Sequence, residues 1–190
     1  MPNNQPIILA SASPRRHELL RNAGIRFTVR PADIEEVPQA NELPLAFAER
    51  MAREKARVVS ESSSGNVVLA ADTVVAVDNQ ILGKPQDEDD AARMLRLLAG
   101  RTHSVITGVC LFGGDFEDVR SETTAVQFSS LSEDEIRDYV RSGEPMDKAG
   151  AYAIQGRASR WISKIEGDYY NVVGLPVDLV WRMLRERKAL

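Results

Sequence analysis

The chain holds one cysteine and two histidines, and no apolar run approaches the roughly 20 residues needed to cross a bilayer. Each scarcity removes a class of function. Cys110 alone can form neither an internal disulfide nor a Cys-based zinc cluster, and it stands in an apolar run where a buried thiol is expected. His17 and His103 lie far apart, so zinc hydrolysis and Ser/His catalysis have little to build on. The start, Met1-Pro2-Asn3-Asn4-Gln5-Pro6, lacks the basic and apolar regions of a signal peptide, so a cytoplasmic location without a membrane partner is expected. A basic excess is missing too. The net charge of −4 and the near absence of aromatics beside basic runs argue against a nucleic-acid partner. A small anionic ligand in a local basic pocket is still compatible with that balance.

What is present fits one globular domain spanning residues 1–190, or at most two small lobes sharing a core: 43% of the residues are hydrophobic and 27% charged. Arg outnumbers Lys, and the only lysines are Lys55, Lys84, Lys148, Lys164 and Lys188. In such a chain a Lys marks a place suited to a compact point charge.

Ile7 to Ala10 reads as a buried strand, Ser13-Pro14 as an N-cap with proline at the first helical position, and Gly24 as the stop of that helix. Ile25 to Val29 follows as a strand and Asp33 to Leu43 as an acidic loop. Apolar periodicity marks a helix over Pro44 to Ser60, before a polar linker to Asn66. Val67 to Ala71 is apolar throughout, as a strand covered on both faces would be, and is expected to end on Asp72. Val74 to Val77 and Gln80 to Leu82 around Asp78-Asn79 form a hairpin signal, and Asp87 to Leu98 a helix. Thr102 to Phe112 and Val119 to Phe128 read as long strands, and Ser132 to Arg141 as a helix opened by a capping box with Glu135. Asp147 to Gly156 reads as loop and strand edge, Arg160 to Ile165 as a strand, and Pro176 to Lys188 as a closing helix. Hairpins and helical crossovers together predict an α/β protein with a mixed sheet flanked by helices.

Three places could carry chemistry. Ser11-Ala12-Ser13-Pro14-Arg15-Arg16 joins a strand to a helix N-terminus, where free N–H groups and the dipole bind anions. Two arginines there oppose the dipole, which makes sense if phosphate lies between them; a solvated basic turn is the alternative. Asp72 follows the most apolar strand and is a hard oxygen ligand or a base for water, with a turn-forming Asp as the alternative. Lys55 shares the helix face of Met51 and Ala52, where it could snorkel, and Lys148 sits among small residues that allow a ligand close to the backbone. Gly83-Lys84-Pro85 lacks the glycine and the Ser/Thr of a P-loop, and no Gly-x-Gly-x-x-Gly occurs.

Taken in order, Leu9-Ala10-Ser11-Ala12-Ser13-Pro14-Arg15-Arg16, Arg53-Glu54-Lys55-Ala56, Ala71-Asp72-Thr73-Val74, Gly83-Lys84-Pro85, Asp147-Lys148-Ala149-Gly150-Ala151-Tyr152, Ile154-Gln155-Gly156 and Asn171-Val172-Val173-Gly174-Leu175-Pro176 resemble the Maf family of nucleoside triphosphate pyrophosphatases. The resemblance implies an elongated fold like that of inosine triphosphate pyrophosphatases, with a cleft between two lobes. It also implies cleavage of a nucleoside triphosphate substrate to monophosphate and pyrophosphate with a divalent metal, Mg2+ or Mn2+. It makes Asp72 the catalytic base and a metal ligand, with Glu36 as a second metal or water-positioning group. Ser11, Arg16, Lys55, Lys84 and Lys148 are implied to surround the triphosphate, whose transfer needs positioning and charge neutralisation. Arg15, Thr73 and Gln155 are implied to set base choice, and here resemble the branch acting on dTTP and UTP instead of 7-methyl-GTP. Ala153 replaces the family's usual Gly, a change felt if φ there is positive. The family's link to arrest of septum formation leaves a non-catalytic nucleotide-binding regulator as a second class of function. A homodimer is left open.

Overall fold

The computed structural model describes residues 5–63 and 65–190. Residues 1–4, on which the expected lack of a leader partly rests, and Ser64 of the polar linker lie outside them. The strands are β1 (Ile7–Leu9), β2 (Phe27–Val29), β3 (Val68–Val77), β4 (Gln80–Leu82), β5 (Thr102–Gly113), β6 (Phe116–Phe128) and β7 (Ile162–Glu166). The helices are α1 (Pro14–Asn22), α2 (Pro44–Ser60), α3 (Glu88–Leu98), α4 (Glu133–Arg141), α5 (Tyr169–Val173) and α6 (Val177–Glu186). The strands make one mixed sheet in the order β2-β1-β3-β5-β6-β7, with β4 on β3. β1 runs parallel to β2 and β3, whereas β4 is antiparallel to β3 and β7 to β6. Both directions follow from the connections: α1 crosses over between β1 and β2, and a two-residue turn folds β4 back on β3. In that turn Asp78 and Asn79 take φ of 51° and 62°, the left-handed pair that a tight hairpin turn demands. Among the described residues no helix is long and apolar enough to cross a membrane.

By contacts the chain divides into two compact units. The first takes the described residues through Asp72, Thr107–Glu122 and Gly174–Leu190; the second takes Thr73–Ile106 and Thr123–Val173. In the first, Ala52, Ala56 and Val59 of α2 pack with Ile8, Val68, Ala70 and Cys110 of the strands. Those helix residues recur at three- and four-residue spacing, so one stripe of α2 is buried. α2 lies very close to β5: a Cβ on Gly108 would stand 2.3 Å from the Ala48 carbonyl oxygen. Gly108 therefore sets the height of α2, which two turns later carries Lys55.

The second unit is built on α3 and α4, whose Met94, Leu95, Leu98, Ile136, Tyr139 and Val140 join one buried cluster. Both helices have real caps. Asp87 accepts from the Asp90 N–H at 2.8 Å, and Ser132 and Glu135 close the expected capping box. Tyr139 and Trp161 meet edge to face at 5.1 Å, and the Trp161 Nε1–H donates to Glu135 at 3.2 Å.

Several expectations need correction. The strand expected to end on Asp72 continues to Val77, so Asp72 and Thr73 lie inside β3. Val74 to Val77 is the same strand carried on as the hairpin ladder with β4, and a polar pair interrupts its apolar sequence without interrupting its backbone. Ser13 precedes α1, but its side chain makes no cap; its N–H instead donates to the Ser11 Oγ at 3.2 Å. The segment from Glu144 to Trp161 forms three short 3-10 turns in place of a strand edge, so β7 starts only at Ile162. The five-residue α5 was invisible to periodicity because it is barely longer than one turn.

Candidate functional site

In the first unit, the sheet presents Asp72 from within β3 and the helix stripe of α2 presents Lys55. The Lys55 Nζ donates to Asp72 Oδ1 at 2.6 Å and lies 2.6 Å from Glu36 Oε1. Lys55 is 7% exposed and Asp72 6%, while the Glu36 side chain, on the acidic loop, is 43% exposed. Lys55 thus does not snorkel. A buried ammonium and a buried carboxylate stabilise one another as partners, and removing either takes from the other its buried counter-charge.

Arg16 turns inward from α1. Its Nη1 donates to the Ala71 carbonyl at 2.8 Å and to Ser11 Oγ at 3.2 Å, and its Nε donates to the Gly174 carbonyl at 2.8 Å. Burial lowers its pKa from the ordinary arginine value; the charges of Asp72 and Glu36 oppose that change and Arg15 adds to it. The guanidinium is therefore anchored on protein oxygens, not simply held in a solvated turn. Ser11, itself buried, also offers its carbonyl to His17 Nε2 at 2.8 Å. A carbonyl can only accept, so that nitrogen carries the proton. Arg15 is half-buried beside this group. Ser11, Arg16, Glu36, Lys55 and Asp72 are thus gathered by direct contacts or by mutual electrostatic influence.

In the second unit, Lys84 is exposed in the turn after β4, and Lys148 is half-buried with its Nζ donating to the Glu144 carbonyl at 2.7 Å. The Gly150 N–H donates to the Gly83 carbonyl at 3.0 Å, which ties the segments of the two lysines together. Gly150 is also pressed on Val75, which a Cβ would meet at 2.8 Å. Thr73 is half-buried, and Gln155 is exposed just before Gly156. Ala153 is absent from the residues with positive φ, so its methyl group meets no backbone strain; Gly150, at φ 69°, and Ala151, at 59°, take the left-handed positions in this run.

Three residues escaped the sequence. Asn171 donates from Nδ2 to the Val105 carbonyl and to Thr124 Oγ1, both at 3.0 Å, which gives the Asn171 to Pro176 stretch a structural purpose. His103 meets the Tyr152 hydroxyl at 2.7 Å. Glu144 braces the Lys148 and Gln155 segments through backbone groups. Only Asn171 lay in a recognisable motif.

Among the described residues no group of three or more His, Cys, Asp or Glu side chains is placed to hold a metal ion. The pair Glu36 and Asp72 still suits Mg2+ or Mn2+, hard cations that take one or two carboxylates and fill their shell with water and phosphate oxygens. The pair already surrounds a cation, the Lys55 ammonium.

Residues 6–187 match the family described as Maf-like protein. A dTTP/UTP pyrophosphatase of Koribacter versatilis is 55% identical over 184 residues, covering 97% of this chain and 95% of that protein. One of Symbiobacterium thermophilum is 52% identical over 182 residues, covering 96% and 94%. Another, of Thermococcus gammatolerans, is 49% identical over 177 residues, covering 93% and 94%. The structure of the Staphylococcus aureus Ham1 protein matches with a TM-score of 0.55 at 13% identity, over 96% of this chain and 100% of that one. That likeness is one of fold, and it agrees with the open mixed sheet expected of the inosine triphosphate pyrophosphatase-like architecture.

Proposed function

The chain belongs to the Maf-like protein family, and from that membership we propose that it hydrolyses dTTP and UTP to the nucleoside monophosphate and pyrophosphate. The names of its relatives support the reaction. The observation that best supports a mechanism is the buried carboxylate of Asp72, held at Oδ1 by Lys55 beside Glu36 and the anchored Arg16.

In this mechanism the water oxygen bonds to the α phosphorus while the bridge to the β phosphorus breaks, and pyrophosphate leaves with the bonding electron pair. Asp72 takes the proton from the water. Lys55 fixes the rotamer of that base. Glu36 and Asp72 are the residues that would hold a divalent metal, which supplies charge neutralisation and a more acidic water when bound. Ser11, Arg16 and Lys55 in the first unit and Lys84 and Lys148 in the second are assigned to the triphosphate, where cations stabilise the departing charge. Arg15, Thr73 and Gln155 are assigned to the base. A thymine or uracil edge reads acceptor, donor, acceptor, and a Gln amide offers the complementary donor and acceptor.

Incubation of the protein with dTTP, UTP, CTP, GTP and 7-methyl-GTP, each with Mg2+ or Mn2+, tests this directly. Monophosphate and pyrophosphate from dTTP and UTP are expected. Orthophosphate and a diphosphate would overturn the reaction, and a preference for 7-methyl-GTP would overturn the base assignment.

A further inference from the structure

Glu144 takes no part in the mechanism above, yet it touches both functional segments of the second unit. It opens a 3-10 turn, Glu144–Asp147, just after Gly143. Its carbonyl accepts from the Lys148 Nζ at 2.7 Å. Its carboxylate accepts from the Arg157 N–H, at 2.9 Å to Oε1 and 3.3 Å to Oε2, and from the Tyr139 hydroxyl at 2.9 Å. Tyr139 is wholly buried on α4, so the carboxylate is moored to the core. Burial, and then the bond to Glu144, raise the tyrosine pKa well above its ordinary value, so the hydroxyl keeps its proton and donates.

The segment braced in this way carries Gln155. The Gly156 N–H donates to the Ala153 carbonyl at 3.1 Å, which closes a turn with Gln155 at its third position. Arg157, the next residue, is the one held by the carboxylate. A Cβ on Gly156 would stand 1.9 Å from Glu144 Oε1, so any side chain there has to displace that carboxylate, although the φ of −98° is open to any residue. The carboxylate and the glycine therefore fit one another, and together they fix where the turn presents Gln155 while the same residue's carbonyl fixes the Lys148 ammonium.

We infer that Glu144 is a positioning residue for base selection, holding Gln155 in register with Lys148. The inference rests on the proposed function, in which Gln155 meets the base and Lys148 the triphosphate. A base-reading group moved off its hydrogen-bonding position leaves its partners unpaired, which is a loss of discrimination between bases, so a loose turn should spoil selectivity more than turnover.

Steady-state kinetics on dTTP and CTP, with melting temperatures measured in parallel, provide the test. Glu144→Ala should lower the dTTP to CTP ratio of kcat/KM about tenfold, chiefly through KM for dTTP, as expected when a polar recognition group is misplaced. Glu144→Gln keeps an oxygen for the Arg157 N–H and should restore most of the ratio. Gly156→Ala should lower the ratio by pushing the carboxylate away, and in the Glu144→Ala background it should do less, since the clash is gone. An unchanged ratio in both Glu144→Ala and Gly156→Ala, or a Gly156→Ala loss fully additive with that of Glu144→Ala, would overturn the inference. So would a Glu144→Ala enzyme slowed equally on both nucleotides. If Glu144→Ala fails to fold, Gly156→Ala and its comparison with Glu144→Gln decide. A wild-type protein that does not cleave dTTP to dTMP and pyrophosphate would instead bring down the proposed function, a result visible before any variant is made.

Discussion

The two compact units bury their polar groups in different ways. In the first, charge is buried against charge: Lys55 meets Asp72 and Glu36, and a buried Asp118 accepts from both Arg120 and Arg187. In the second, the deeply buried polar contacts include neutral ones. His103 meets the Tyr152 hydroxyl, with Phe128 edge-on at 5.0 Å, and Asn171 binds a carbonyl and a hydroxyl. Burial lowers the pKa of His103 to about 4, so its ring is uncharged near neutrality. Buried charge is expensive unless it is paired, and in the proposed mechanism the Lys55–Asp72 pair is the one put to chemical use, whereas a neutral network gives a stiff frame for groups at its edge. Lys84 and Gln155, both exposed, are the groups the proposal assigns to such work.

The comparison breaks first at Asp72. Asp72→Asn is nearly isosteric but neither a base nor an anionic ligand, and it should cost on the order of 1,000-fold or more in turnover while nucleotide binding largely survives. It also strips Lys55 of its buried partner, so a lower melting temperature is expected. Near wild-type turnover would remove Asp72 from the chemistry.

The neutral frame is tested next, through pH. The unfolded His103 titrates near 6.5 and the folded one at about 4, so the unfolded chain binds more protons between those values. Stability contributed by the neutral ring is full above pH 6.5, falls as the pH drops, and is gone below about 4, a change of about 3 kcal/mol. Urea unfolding of wild type and His103→Gln across that window should show the smaller dependence in the variant. Equal slopes would assign the acid loss to other groups.

Selectivity comes third. Gln155→Glu puts an acceptor against the pyrimidine's own carbonyl and should lower kcat/KM for dTTP and UTP about thirtyfold relative to poor purine substrates. Equal loss on every nucleotide would place Gln155 away from the base. Smaller still, Lys84→Ala and Lys148→Ala should each lower kcat and raise KM, about tenfold in kcat/KM, since each removes a cation from charge present throughout the reaction. Unchanged kinetics in both would make them solvated surface groups.

Much of this arrangement was legible before the structure. α2 has the expected bounds because Pro44 opens it and one apolar stripe runs its length; the Asp78-Asn79 turn and the Ser132 capping box carry local signatures that need no tertiary context. What escaped depends on distant partners. Asp72 looked like a strand terminus because a polar residue after five apolar ones reads as an end, and Lys55, arriving from α2, lets it stay buried inside β3. Lys55 looked ready to snorkel for the same reason. Glu144 was silent because its partners include a backbone N–H, and its carbonyl is a backbone group as well, and neither leaves a trace in residue type. The turns around it lack any apolar period, so nothing in their pattern announced 3-10 geometry.

Product identification in 18O-labelled water tests the central claim most directly. Wild-type protein given dTTP and Mg2+ should release dTMP and pyrophosphate in equal amounts, with the label in dTMP because water attacks the α phosphorus. Formation of dTDP and orthophosphate, or label confined to pyrophosphate, would contradict it.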